Sequence, residues 1–247
     1  MLLALAAIGA GFIDAVAGGG GLIQVPTLLL VLPGEAPVTV FGTNKGSSVL
    51  GTLNAAWRYS RQIALPWKTL LLPASLAAFI FAFAGAATVA WLPKESVRPL
   101  VLVLLVCVWL YTTLQPDFGK TPGHTPSHPL LTALAIGSVI GFYDGFFGPG
   151  TGSFLIFAFV RFLGLDFLTA SASAKVVNAT TNIAALGFFI PHGQIIWPIV
   201  ALMAVCNIVG AGIGSRLAMK HGSGFVRGTF LLVVGMLITK LGMDMIS

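Results

Sequence analysis

Charge is scarce in this chain. Of its 247 residues only 13 are Lys or Arg and 7 are Asp or Glu, whereas about a quarter of a soluble domain is charged. A water-soluble globule is excluded. Cysteine is nearly absent as well: Cys107 and Cys206 are the only two, and both lie in apolar runs. That excludes a disulfide scaffold and makes packing their expected role. A disordered chain fails on the opposite ground, since 57% of the residues are hydrophobic and the mean hydropathy is +0.97. No Lys or Arg precedes Lys45, so residues 1–17 lack the basic start of a cleaved signal and read as part of the mature bundle. What remains is a polytopic membrane protein.

The placement of the few charges supports that class. None occurs between Thr69 and Pro93, between Pro99 and Pro116, or between Val176 and Ser215, and a helical span needs about 20 such residues. The last window holds two helices, joined at Pro191-His192-Gly193. These runs are continuous rather than alternating, and backbone in lipid must satisfy itself internally, so the fold class is all-α rather than a β-barrel. The net charge of +6 comes from scattered residues flanking apolar spans, which points to membrane orientation and not to nucleic acid.

A polar stretch, residues 116–129, carries four prolines and two glycines and reads as a linker. The segments on either side match. Gly11-Phe12-Ile13-Asp14 recurs as Gly141-Phe142-Tyr143-Asp144, and at the same offset Gly18 meets Gly148, Gly20 meets Gly150, Thr39 meets Thr169 and Lys45 meets Lys175. The spacing predicts two homologous repeats, 1–115 and 130–247. The first holds segments at roughly 2–17, 22–32, 38–57, 69–92 and 97–115, and the second at roughly 130–147, 153–164, 167–190, 194–215 and 225–243. The short second segment of each repeat is a re-entrant half-helix or a tilted short helix.

Basic residues bear on orientation. Arg58, Arg61 and Lys68 follow the third segment of the first half, where the second half has only His192. The next connection reverses the bias, with Lys94 and Arg98 offset by Glu95 against Arg216, Lys220 and Arg227. The positive-inside rule then predicts inverted repeats, each with an odd number of crossings, and both termini outside.

Gly18-Gly19-Gly20-Gly21 and Gly148-Pro149-Gly150-Thr151-Gly152 break apolar runs at membrane depth. Irregular backbone is tolerated there only where protein buries it or it lines a cavity, and glycine breaks at matching places in two halves point to a transporter's central site. Close helix packing is the alternative use of such glycines. On the next long segment, Lys45, Ser48 and Thr52 share one helical face, as do Lys175, Asn178 and Asn182, with Thr43, Asn44 and Ser173 extending the polar cluster. An intramembrane lysine points to function, although one near a helix end can also snorkel. Two ammonium groups, amide and hydroxyl donors, and helix N-termini at Gly19, Gly20, Gly150 and Thr151 suit a small anion with several oxygens. Asp14 and Asp144 can pair with the lysines, carry a coupling ion, or brace the breaks.

Other polar residues carry less. Gln24 has an apolar counterpart in the second half, His124 and His128 sit in the linker without other ligand types, and His192 lies at a helix turn. There is no Ser-His-Asp order, HExxH, Walker loop or paired thiol, so neither an enzyme, a cofactor nor a resident metal is expected.

The run from Gly11 to Gly21, with Pro26 and Gly42-Thr43-Asn44-Lys45, and the second set Gly141 to Gly150 with Ala174-Lys175-Val176-Val177-Asn178-Ala179-Thr180-Thr181-Asn182, resembles the TauE/SafE sulfite exporter family over essentially the whole chain. The resemblance implies a multi-pass transporter of the bacterial inner membrane for sulfur-containing anions such as sulfite, sulfonates or thiosulfate. It is expected to work by alternating access, with a passive anion channel as the alternative and an intramembrane scaffold as a third class. A proton or sodium ion is the expected coupling partner, and homo-oligomeric assembly stays open.

Overall fold

The computed structural model describes residues 1–88, 97–115, 117–123 and 126–246. Among these residues the chain is helix and turn throughout: α1 Leu2–Ala17, α2 Gly21–Val31, α3 Pro37–Gln62, α4 Leu72–Thr88, α5 Val97–Leu114, α6 Pro129–Phe146, α7 Thr151–Leu163, α8 Phe167–Phe189 and α9 Trp197–Ile246. A π-helical turn, Trp67–Leu71, leads into α4.

Trp67–Thr88, Pro129–Phe146 and Trp197–Met236 are each long and apolar enough to cross a membrane, and the chain is a multi-pass membrane protein. Their outward faces carry large exposed apolar side chains, among them Phe79, Ile80, Val139, Val205 and Val209. Lipid is the solvent such faces suit. By contrast α2 and α7, of 11 and 13 residues, reach only about 17 and 20 Å at the α-helical rise, short of the roughly 30 Å hydrocarbon core.

Several boundaries depart from the sequence reading. The third segment runs on to Gln62, so Arg58 and Arg61 lie in its final turns rather than in a connection. The last two segments stay two helices within α9, meeting at a break at Gly222 whose φ of 71° is left-handed, and the first of them runs on past residue 215. Arg216 and Lys220 are therefore helical residues ahead of that break. Lys94 and Glu95 lie outside the described residues, as do Pro116, His124, Thr125 and the side chain of Arg98. Cys107 is exposed on α5 instead of packed, and Cys206 is partly buried.

Two close helix pairs frame the bundle, α1 on α9 and α4 on α6. Small residues make them possible, since in lipid helices gain by close backbone approach rather than by burial from water. Gly11 seats directly against the backbone of Asn207, and Gly141 against Ala78; at either position a methyl group would collide. Between these pairs run α3 and α8, whose polar stripes are turned inward: Lys45, Asn44, Thr52, Lys175, Asn178 and Asn182 are all buried.

Within the linker, the described residues 117–123 are docked on the bundle. Phe118 sits among the rings of Tyr111, Phe157 and Phe167, while the carbonyl of Gly119 accepts the amide of Phe167 and Gly123 donates to Gly164, each at 2.7 Å. At the start of α8 the Asp166 carboxylate caps the amides of Leu168 and Thr169 and accepts the Ser223 hydroxyl at 2.6 Å. Burial pushes this carboxyl up, but the hydrogen bonds from Ser223, Thr169 and Leu168 outweigh it and hold it below the usual carboxylate range. The contact ties the break in α9 to the head of α8.

Candidate functional site

The site is built where two helices stop inside the protein. Ending α1 at Ala17 leaves carbonyls without intrahelical donors, a cost of several kcal/mol each in a dry interior. Side chains from three other helices supply the donors. Tyr59 of α3 donates its hydroxyl to Ala15 at 2.9 Å, Ser171 of α8 donates to Val16 at 2.9 Å, and Ser153 of α7 donates its hydroxyl to Ala17 and its amide to Gly18. Gly18 turns the chain at φ 78° and lies against Gly152, leaving no space for a Cβ on either. The end of α6 is closed differently, with the amides of Phe147 and Gly148 on the carbonyl of Tyr143 and the Tyr143 hydroxyl on Pro149 at 2.5 Å.

These breaks surround a cavity of about 20 Å³, space for about one water. Gly18, Gly21, Gly148, Gly150 and Gly152 form its backbone wall, and Asp14, Asn44, Lys45, Ser48, Thr52, Asp144, Asn178 and Asn182 its side-chain wall. The first turns of α2 and α7 open onto it, so the positive ends of two short helix dipoles converge there.

Two ion pairs cross the linker. Lys45 Nζ lies 2.7 Å from Asp144 Oδ1, with the side chains 5% and 2% exposed. Lys175 Nζ lies 3.1 Å from Asp14 Oδ2, with exposures of 0% and 14%. The first pair is on the cavity wall. In the second, only Asp14 reaches the wall, and the lysine stands behind it at an angle too poor for a hydrogen bond. The Thr52 hydroxyl, whose shorter hydrogen bond goes to the Ser48 carbonyl at 3.0 Å, lies 3.4 Å from Asp14 Oδ2. Around the pairs, Asp144 Oδ2, the Asn44 side-chain oxygen and the Asn182 side-chain nitrogen are buried without hydrogen-bond partners. Unpaired buried polar atoms of this kind call for a partner that the protein itself does not supply, water or an ion included.

The residues predicted from sequence divide into those on the wall and those beside it. Thr43 is spent on structure, its hydroxyl accepting the Ile196 amide at 3.0 Å. Gly20 packs against Asp14 and the carbonyl of Ala10, and the Thr151 hydroxyl donates to Gly148; neither they nor Gly19 lines the cavity. Ser173 is fully buried, its hydroxyl unpartnered. His128 is exposed ahead of α6, and His192 is exposed with its Nδ1 2.7 Å from the Phe188 carbonyl.

Gln24 is the residue sequence reasoning undervalued. It is wholly buried, and its side-chain oxygen accepts the Ser48 hydroxyl at 2.8 Å. Its signal was there, an amide inside an apolar segment, but the absence of a counterpart in the other half hid it. The phenol and hydroxyls that close α1, from Tyr59, Ser153 and Ser171, carried no motif at all.

The fold and site are those of a multi-pass membrane protein with a buried, charged centre among broken helices. The chain belongs to the sulfite exporter TauE/SafE family, whose model matches residues 3–241. Among curated proteins it is similar to "Probable membrane transporter protein ORF9" of Sinorhizobium sp, 36% identical over 98% of this chain and 92% of that one. It is also similar to "Probable membrane transporter protein YfcA" of Escherichia coli K12, 35% identical over 95% of this chain and 86% of that one. A "Probable membrane transporter protein" of Haemophilus influenzae is 33% identical over 95% and 91% of the two chains.

Proposed function

We propose that this chain is a secondary transporter that moves small sulfur-containing oxyanions, of the sulfite, sulfonate or thiosulfate type, across the bacterial inner membrane by alternating access. The observation that carries the reading is Lys45, a buried ammonium on the wall of a small polar cavity beside Asn44, Ser48, Asn178 and Asn182. A positive charge, neutral donors and two helix N-termini are the chemistry that replaces the water around an oxyanion. Lys175 acts from behind the wall by holding Asp14, and a coupling ion is carried at Asp14 or Asp144. The family description names sulfite export, which favours sulfur oxyanions over other anions.

A cavity this small supports a carrier over an open pore, because an anion fits only after the walls move. The two halves interlock: α1 packs on α9, α4 on α6, and each lysine pairs with an aspartate from across the linker. We read these as the contacts of two inverted repeats.

A thermal-shift screen of the purified protein against sulfite, thiosulfate, sulfoacetate and taurine tests the reading. A bound anion at 100 times its Kd stabilises by about 2.7 kcal/mol, and at least one sulfur oxyanion should do so. No stabilisation by any of them would leave the chain a scaffold. Labelled-anion counterflow in proteoliposomes would follow; exchange against a trans gradient is the carrier result, and saturating currents without exchange would make it a channel.

A further inference from the structure

Resting on that reading, we propose that each anion enters with a proton, and that Asp144 rather than Asp14 takes it. The four charged groups of the centre, Lys45, Lys175, Asp14 and Asp144, sum to zero. An added monoanion would leave one uncompensated negative charge in a site of low dielectric, where an unpaired charge is strongly disfavoured. Only about 20 Å³ is free, so the anion must also displace something.

The geometry selects what it displaces. Asp144 Oδ1 occupies the Lys45 ammonium from the cavity wall, and Asp144 Oδ2 has no hydrogen-bond partner. When an anion oxygen takes over Lys45, the displaced carboxylate accepts one proton and becomes a neutral carboxyl whose O–H can donate to the anion. Charge is conserved: one proton in, one negative charge in, Lys45 ammonium throughout. Asp14 differs because its lysine is fully buried behind the wall, out of the anion's reach. The titratable groups facing Asp144 are Lys45 from α3 and, beside it on α6, Tyr143; across the cavity stands Asp14 of α1 with Lys175 of α8, and Tyr59 of α3 faces Asp14.

The test is calorimetric titration of the full chain with methanesulfonate, a monoanion that stays ionised across the range used, in buffers of different ionisation enthalpy. The wild type is expected to take up about one proton per anion, with Kd rising about tenfold per pH unit on the alkaline side. Asp144→Asn, a fixed mimic of the protonated carboxyl, should bind without proton uptake, more tightly than wild type at alkaline pH and flat with pH. Asp14→Asn should keep the uptake. Should either variant fail to fold, the wild-type proton count and Asp144→Glu, expected to keep uptake, decide. Wild-type binding without proton uptake, binding that needs sodium instead, or uptake lost in Asp14→Asn and kept in Asp144→Asn would overturn the proposal and leave the anion site standing. No binding by the wild type at any pH would overturn both.

Discussion

Lys45 Nζ and Asp144 Oδ1 stand 2.7 Å apart, almost wholly buried, with the lysine on one side of the linker and the aspartate on the other. The pair joins the two halves at the cavity, and it is the contact that the proposed anion would have to break.

Removing one partner of such a pair leaves a buried charge alone, at a cost of about 3–5 kcal/mol. Lys45→Ala should therefore lower the unfolding temperature of the ligand-free protein sharply, and Lys45→Ala combined with Asp144→Ala should recover most of the loss. Additive losses in the double variant, followed by intrinsic fluorescence on heating, would show that the two side chains are not coupled.

Tyr59 is fully buried and serves a carbonyl that α1 cannot satisfy for itself. Tyr59→Phe keeps the ring and deletes the donor, so it should destabilise by about 1–3 kcal/mol, the cost of an unpaired buried group. A loss below a few tenths, measured by denaturant or thermal unfolding in detergent, would mean that Ser171, which also reaches Ala15 at 3.2 Å, is sufficient alone.

Gly18 combines a left-handed φ with backbone contact to Gly152. Gly18→Ala should reduce both folded yield and anion binding, because it must force α1 and α7 apart at the cavity. Gly228→Ala, in open space on α9, should be tolerated. Equal behaviour of the two in size-exclusion and binding assays would remove Gly18 from the account.

Asp166 predicts a pH dependence outside the spans. Its folded carboxyl titrates below the unfolded value of about 3.9. Its stabilisation is therefore complete above the unfolded value and is lost as pH falls through the folded one. Asp166→Asn keeps a capping side chain without the charge, so its deficit against wild type should be present at neutral pH and shrink on acidification. A deficit constant with pH in thermal melts would contradict this.

Much of the fold was legible because lipid restricts the choices. The charge-free windows located the apolar segments, and the glycine runs marked where α1 and α6 stop. Helix ends carrying Arg58, Arg61 and Arg216 were less readable, since in a chain with so few charges a cation looks like a loop signal even where the helix simply continues. At the site, the shared face of Lys45, Ser48 and Thr52 followed from helical spacing, and all three line the cavity. The crossed pairing of Lys45 with Asp144 and Lys175 with Asp14 did not follow, because a duplication shows which residues correspond and not which ones touch. Thr43 shows the same gap: a hydroxyl beside the site serves the Ile196 amide instead, a contact made only by tertiary packing.

The central claim is that the Lys45 ammonium is the anion's counter-charge in transport. Counterflow of labelled thiosulfate or sulfite into proteoliposomes, comparing wild type with Lys45→Ala and with Lys45→Arg, measures it directly. The account predicts accumulation by wild type, none by Lys45→Ala, and partial exchange by Lys45→Arg, which keeps the charge but not its shape. Wild-type exchange by Lys45→Ala would contradict it.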